Sequence, residues 1–121
     1  MFEVSKCFIE LFSIYVDGVF NHMTGGGSGT GSDGSTFNAD TKSFPGVPYG
    51  VNDFNGAAEC PTGSGEIQNY NNVNEVRNCM LSGLKDLKRG TEYVRGKIVD
   101  FMNLLIGIGV AGFRLDACKH M

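Results

Sequence analysis

The sequence predicts an α/β fold, laid out as strand, long polar excursion, helix and second strand, and three observations carry that prediction. Residues 13–17, Ser-Ile-Tyr-Val-Asp, are a short β-branched and aromatic run that closes on Gly-Val-Phe-Asn-His. Val94, Ile98, Phe101, Met102 and Leu105 recur at i, i+4, i+7, i+8 and i+11, which is one face of a helix. Val110 to Leu115 then reads as a second strand, small and apolar until Arg114 interrupts it.

Each element follows in order. The first twelve residues, MFEVSKCFIELF, place Val4, Phe8, Leu11 and Phe12 at helical spacing, and the stretch reads as an amphipathic helix. Glu3 and Glu10 interrupt it and no basic region leads it, so it makes a poor signal peptide. After the first strand, residues 23 to about 88 are polar and turn-rich, with runs such as PGVPYG, NDFNG and CPTGSG. A stretch this long inside a compact domain is usually functional or a small irregular subdomain. Thr91 is a plausible helix N-cap, with Gly107 or Gly109 as the stop. Strand, excursion, helix, strand is a βαβ unit with an insertion before its helix. In such units functional groups gather at the carboxyl ends of the strands.

Composition excludes more than it assigns. Hydrophobic residues make up 41% and the net charge is −3, so no electrostatic footprint for nucleic acid or an anionic membrane is present. No apolar run reaches the length of a bilayer span. Six of the 18 glycines fall in GGGSGTGSDG, residues 25–34, which lacks the Gly-Lys-Ser/Thr ending of a phosphate loop and reads as a flexible loop. The four cysteines, Cys7, Cys60, Cys79 and Cys118, have no CxxC spacing, which argues against a zinc ribbon. Cys60 and Cys79 lie in a hydrophobe-poor segment that a cross-link would stabilise by roughly 3 kcal/mol. Four reduced thiols remain the alternative.

The sharpest signal is that both strands end in aspartate, Asp17 and Asp116. Period-two alternation puts Arg114 and Asp116 on one strand face and Phe113 and Leu115 on the other. In a parallel barrel the apolar pair would meet the helices and the charged pair would point inward, where the arginine favours the ionised carboxylate. A structural ion pair is an equally good reading of Arg114 and Asp116 taken alone. Asp17, Asn21 and His22 stand within six residues of one another, and the first two offer oxygens of the kind calcium takes.

Taken together these motifs resemble the α-amylase family of glycoside hydrolases, and its animal members most closely. IYVDGVFNH at 14–22 and GFRLDACKHM at 112–121 are similar to two of its signatures. FPGVPYG, DFN, TGSGEIQNYNNVNEVRNCMLSGLKDL and YVRGKIVDFMNLLIGIGVAG lie between them in the family's order. The resemblance covers roughly residues 14–121 and implies a partial (β/α)8 TIM barrel with an irregular calcium-binding domain inserted after the third strand. Residues 1–21 would be barrel, 22–88 the inserted domain and 89–121 barrel again, comprising the third helix and fourth strand.

The resemblance also implies roles. Asp116 matches the catalytic nucleophile of a retaining glycosidase, which needs a general acid about 5–5.5 Å away. Arg114 matches the arginine beside it that also binds chloride. Asp17, His22, Tyr70, Lys119 and His120 match positions that shape the substrate cleft. Asn21 and Asp86 match side-chain calcium ligands, and Arg77 and His120 match donors of backbone carbonyls. Cys60 and Cys79 match a disulfide within the inserted domain. The implied protein is a secreted, extracellular, monomeric, endo-acting enzyme that hydrolyses α-1,4-glucosidic bonds in starch, glycogen and related α-glucans. Calcium and chloride would be its cofactors.

The family's general acid, a glutamate on the fifth strand, and its third essential aspartate, on the seventh, have no counterpart in this sequence; Glu66, Glu75 and Glu92 stand in other contexts. The chain is therefore expected to be a fragment, inactive by itself. Two other readings stand beside this one: a non-enzymatic calcium- or glycan-binding module, and a zinc site from His22, Cys118 and His120, which would require those side chains to converge.

Overall fold

The structure, a computed structural model, describes residues 12–121. The helix expected over the first twelve residues, apart from Phe12, and Cys7 within it lie outside that range.

Two strands form the frame. Strand β1 (Tyr15–Gly18) pairs in parallel with β4 (Gly112–Leu115), in the register Tyr15–Gly112, Val16–Phe113, Asp17–Arg114 and Gly18–Leu115. Both are shorter at their start than the sequence predicts. The ladder opens with the Ala111 N–H donating to the Ile14 carbonyl at 2.9 Å and closes with the Asp116 N–H on the Gly18 carbonyl at 3.0 Å. Val110 contributes instead to the end of the preceding helix.

That helix, α2 (Glu92–Ile108), begins at the expected cap: the Thr91 hydroxyl accepts from the Val94 N–H. It ends at Gly109, whose φ of 108° is left-handed. The Gly109 and Val110 N–H groups turn back to the Ile106 and Leu105 carbonyls, a pairing that closes a helix and that glycine adopts without steric cost. This capping holds Val110 out of β4.

Within the excursion the glycine-rich stretch is not the loop the composition suggests. Strands β2 (Ser28–Thr30) and β3 (Thr36–Asn38) pair antiparallel. The Asp33 carboxylate organises their turn by accepting from the Ser35 N–H at 2.9 Å, and Gly34 supplies φ 84°. Beyond them lie single-residue bridges and a short helix, α1 (Val73–Asn78), capped by the Asn72 side chain. The Glu75 carboxylate gathers the Gln68 and Asn69 N–H groups and the Asn72 amide. Cys60 and Cys79 are joined by a disulfide.

The core belongs mainly to the excursion. Ala39, Phe44, Tyr49, Phe54, Leu87 and Val94 form one buried cluster, with Met23, Phe37 and Ile98 packed against it. Phe44 lies 5.5 Å from Phe54 and 6.0 Å from Phe37, ring centroid to centroid. Of the predicted helix stripe only Val94 is fully buried, and Phe101 touches Phe20 edge-on while staying 47% exposed. Leu115, expected to meet the helix layer, is 41% exposed. No helix among the described residues is long and apolar enough to cross a membrane.

Candidate functional site

Parallel pairing sets Asp17 beside Arg114, because facing residues of neighbouring parallel strands share a sheet face. Arg114 Nη1 donates to Asp17 Oδ1 at 2.7 Å and to Asp116 Oδ1 at 3.2 Å. One guanidinium thus ties together the aspartates that end the two strands. Its own pKa is raised, first by the hydrogen bond to Asp17 and then by the charges of Asp17 and Asp116. The sequence pairs Arg114 with Asp116; the structure adds Asp17 and gives it the shorter bond. The group stands in solvent, with the Arg114 side chain 65% exposed and Asp116 33%. After Asp116 the chain turns through Ala117, left-handed at φ 50°, into a single 3-10 turn, Cys118–His120.

That turn presents the remaining cleft candidates. His120 Nδ1 donates to the Val76 carbonyl at 3.0 Å, and the Tyr70 ring meets the imidazole edge-on at 6.4 Å. Lys119 is exposed, as is the free thiol of Cys118. His22 Nδ1 accepts from the Asn21 amide at 3.3 Å. Burial holds the His22 imidazole below its ordinary value; Asp116 opposes that shift, while Arg89 and His120 add to it. His22, Cys118 and His120 do not assemble as a zinc site: no three His, Cys, Asp or Glu side chains cluster for a metal among the described residues.

Behind the strand ends lies a cage of oxygens. Asn21 is fully buried and Asp86 is 2% exposed. Arg89 Nη1 donates to the Asn21 carbonyl at 2.7 Å, to Asp86 Oδ1 at 3.1 Å and to the Leu87 carbonyl at 3.0 Å. Its Nη2 donates to the carbonyls of Arg77 at 3.0 Å and His120 at 2.7 Å. All four residues matched to calcium ligands therefore converge, and they converge on an arginine. Asp86 Oδ2 accepts from the Asn55 amide at 2.7 Å. Burial pushes the Asp86 carboxyl up, with Arg89 and Asn55 acting against it. Asn21 Oδ1 is a buried oxygen with no hydrogen-bond partner. Sequence reasoning missed Arg89. Its only signal was a basic residue three positions after Asp86, which reads as a solvated charge.

An apolar cleft of about 490 Å³ runs between Val19, Phe20, Tyr49, Ile98, Phe101 and Leu104. None of the strand-end residues lines it.

No protein-family model matches the sequence. Among the curated proteins it is similar to several animal alpha-amylases. That of Dermatophagoides pteronyssinus is 56% identical over 117 residues, which are 97% of this chain and 24% of that protein. Human alpha-amylase 1B is 53% identical over 121 residues, 98% of this chain and 24% of its own. In structure, alpha-amylase I of the earthworm Eisenia fetida superposes with a TM-score of 0.88 at 66% identity, over 90% of this chain and 22% of that one. A mutant of that enzyme was solved as a maltohexaose complex. These matches are to animal alpha-amylases over nearly the whole of this chain, which spans about a quarter of the length of the relatives it matches.

Proposed function

We propose that this chain is the stretch of a retaining, endo-acting alpha-amylase that carries its nucleophile. The observation behind this reading is the Arg114 guanidinium bridging Asp17 and Asp116 at the ends of two neighbouring parallel strands. On this reading β1 and β4 are the third and fourth strands of a (β/α)8 barrel and α2 is its third helix. Residues 22–88 are the inserted domain, between barrel segments 1–21 and 89–121. Exposed Tyr15, Leu104, Ile106, Ile108 and Leu115 then have a purpose, since neighbouring barrel elements would cover them.

Asp116 attacks the anomeric carbon of an α-1,4-linked glucan such as starch or glycogen. The glycosidic C–O bond breaks as a general acid from the rest of the enzyme protonates the leaving oxygen. Water then gives a proton back to the deprotonated general acid and its oxygen adds to the anomeric carbon, breaking the bond to Asp116, which leaves as carboxylate. Arg114 holds the attacking carboxylate in place through Nη1 and favours its charged form. Its Nη2 and Nε would be the donors toward chloride. Asp17, His22, Tyr70, Lys119 and His120 line the approach to the glucan. One carboxylate without its acid partner leaves the isolated chain inactive.

For calcium, the donors fit a hard cation: the unpartnered Asn21 Oδ1, the Asp86 carboxylate and the Arg77 and His120 carbonyls. Bound there in place of the Arg89 guanidinium, the ion would supply charge that ties the inserted domain to the strand ends. The disulfide agrees with a secreted, extracellular enzyme made under oxidising conditions, and the enzyme is read as a monomer.

The test replaces the matching segment of the Eisenia fetida enzyme with residues 12–121. The chimera should hydrolyse maltohexaose, Asp116→Asn should lower kcat by about 10⁴-fold or more, and the 121-residue chain alone should release no sugar. A folded chimera that keeps its activity as Asp116→Asn would remove Asp116 from the nucleophile's place.

A further inference from the structure

The oxygen cage already contains a cation. Each Nη nitrogen of an arginine carries two hydrogens, so the five acceptors around Arg89 engage all four, one of them shared. The acceptors come from both sides of the fold. Asn21 follows β1 and His120 follows β4, while Arg77, Asp86 and Leu87 belong to the excursion. Arg89 is thus a clasp between strand ends and excursion, made without metal. Its single charge is matched by the single charge of Asp86, and the side chains are 15% and 2% exposed.

A divalent ion among the same oxygens would set three positive charges against that one carboxylate in a poorly solvated space, which neither desolvation nor Coulomb energy favours. It would also need the space the guanidinium fills, since calcium takes oxygens at about 2.3–2.6 Å. One oxygen is left over. Arg89 takes the Asn21 backbone carbonyl, and Asn21 Oδ1, in a residue with no exposed surface, has no partner. A buried acceptor of this kind is a cost of the arginine arrangement that a metal ion would remove.

We propose that Arg89 is the resident cation of this cage and competes with calcium for it, so that the clasp holds by hydrogen bonds and calcium binds only when Arg89 withdraws. The proposal takes from the function proposed above only the identity of the competing ion. It makes the joint between excursion and strand ends insensitive to calcium.

The experiment compares the 121-residue chain with its Arg89→Met variant, by equilibrium dialysis against radioactive calcium and by thermal melting in chelator or millimolar calcium. The unmodified chain should melt at the same temperature in both. Arg89→Met should melt lower in chelator, recover in calcium and bind the ion about tenfold or more tightly than the parent, an ordinary size for coupling between two ligands. If the methionine variant does not fold even in calcium, Arg89→Gln carries the same comparison, because it removes the charge and keeps an N–H donor for the carbonyls. A parent chain that loses stability on chelation, or that binds calcium as tightly as its variant, overturns the competition and leaves the calcium assignment standing. Absence of calcium binding in the parent and every folded variant overturns both.

Discussion

Between Met23 and Lys88 the chain builds a core, whereas the strands and long helix that flank this stretch leave most of their apolar residues in water. Phe44, Phe54 and Leu87 are 2–4% exposed; Leu104, Ile106 and Ile108 are 55–61% exposed. A fully buried side chain of this size contributes about 1.5–3 kcal/mol and an exposed one almost nothing. The stabilising contacts therefore sit in the irregular part, and the candidate chemistry sits on the regular part. A βαβ frame is the right place for strand-end carboxylates, but its outer faces await cover that the proposed barrel would give.

The largest effect should separate these regions. Leu87→Ala, in the excursion's core, should cost about 2–5 kcal/mol in urea unfolding, the range for a buried leucine that leaves a cavity. Leu104→Ala, at 61% exposure, should change it by less than about 0.5 kcal/mol. Equal losses at both positions would dissolve the contrast. Next in size is the disulfide. Replacing Cys60 and Cys79 with serine should remove about 3 kcal/mol. The transition monitored at Tyr49 and Tyr70 should shift with it, since the bridge lies in the same region.

These contrasts also explain what could be read in the sequence. The helix stripe and both strands were legible because periodicity records which face is buried. Their ends were not: Ile14 and Val110 are apolar, but a strand starts where a partner carbonyl or N–H is available, and Val110 is committed to the helix cap. The excursion's core was hidden because Phe37, Phe44, Tyr49 and Phe54 stand singly between turns and show no period. For the site, resemblance singled out Asn21, Arg77, Asp86 and His120, and the fold gathers them. Arg89 could not be found that way, because its partners at 21, 77 and 120 meet it only after folding.

A smaller effect compares ion pairs in the two regions. In the excursion Lys88 Nζ lies 2.5 Å from Glu59 Oε1, with side chains 36% and 26% exposed. The hydrogen bond from Lys88, and then the Gly56 N–H, hold the Glu59 carboxyl below its ordinary 4.5. The folded chain therefore gives up that proton at lower pH than the unfolded chain does. The resulting stability is whole above pH 4.5 and fades as pH falls through the lower folded value. Glu59→Gln should cost about 0.5 kcal/mol at neutral pH, since solvent screens a part-exposed pair. It should also flatten the unfolding profile on the acid side. An unchanged acid profile would mean that the pair is broken in solution.

The smallest effect on stability should come from the residues nearest the proposed chemistry. Arg114 is 65% exposed and Asp17 58%, so water already solvates both charges and salt screens their attraction. Asp17→Asn, Arg114→Gln and the double variant should leave the urea midpoint of the chain unresolved from the parent. In the chimera the same changes should lower kcat, because a carboxylate that must attack one carbon is sensitive to a small displacement even where the fold is not. Loss of stability with little loss of activity would make the Arg114 bridge a structural tie. Loss of activity with an unmoved midpoint would leave positioning of Asp116 as the reason that a guanidinium stands between two strand-end aspartates.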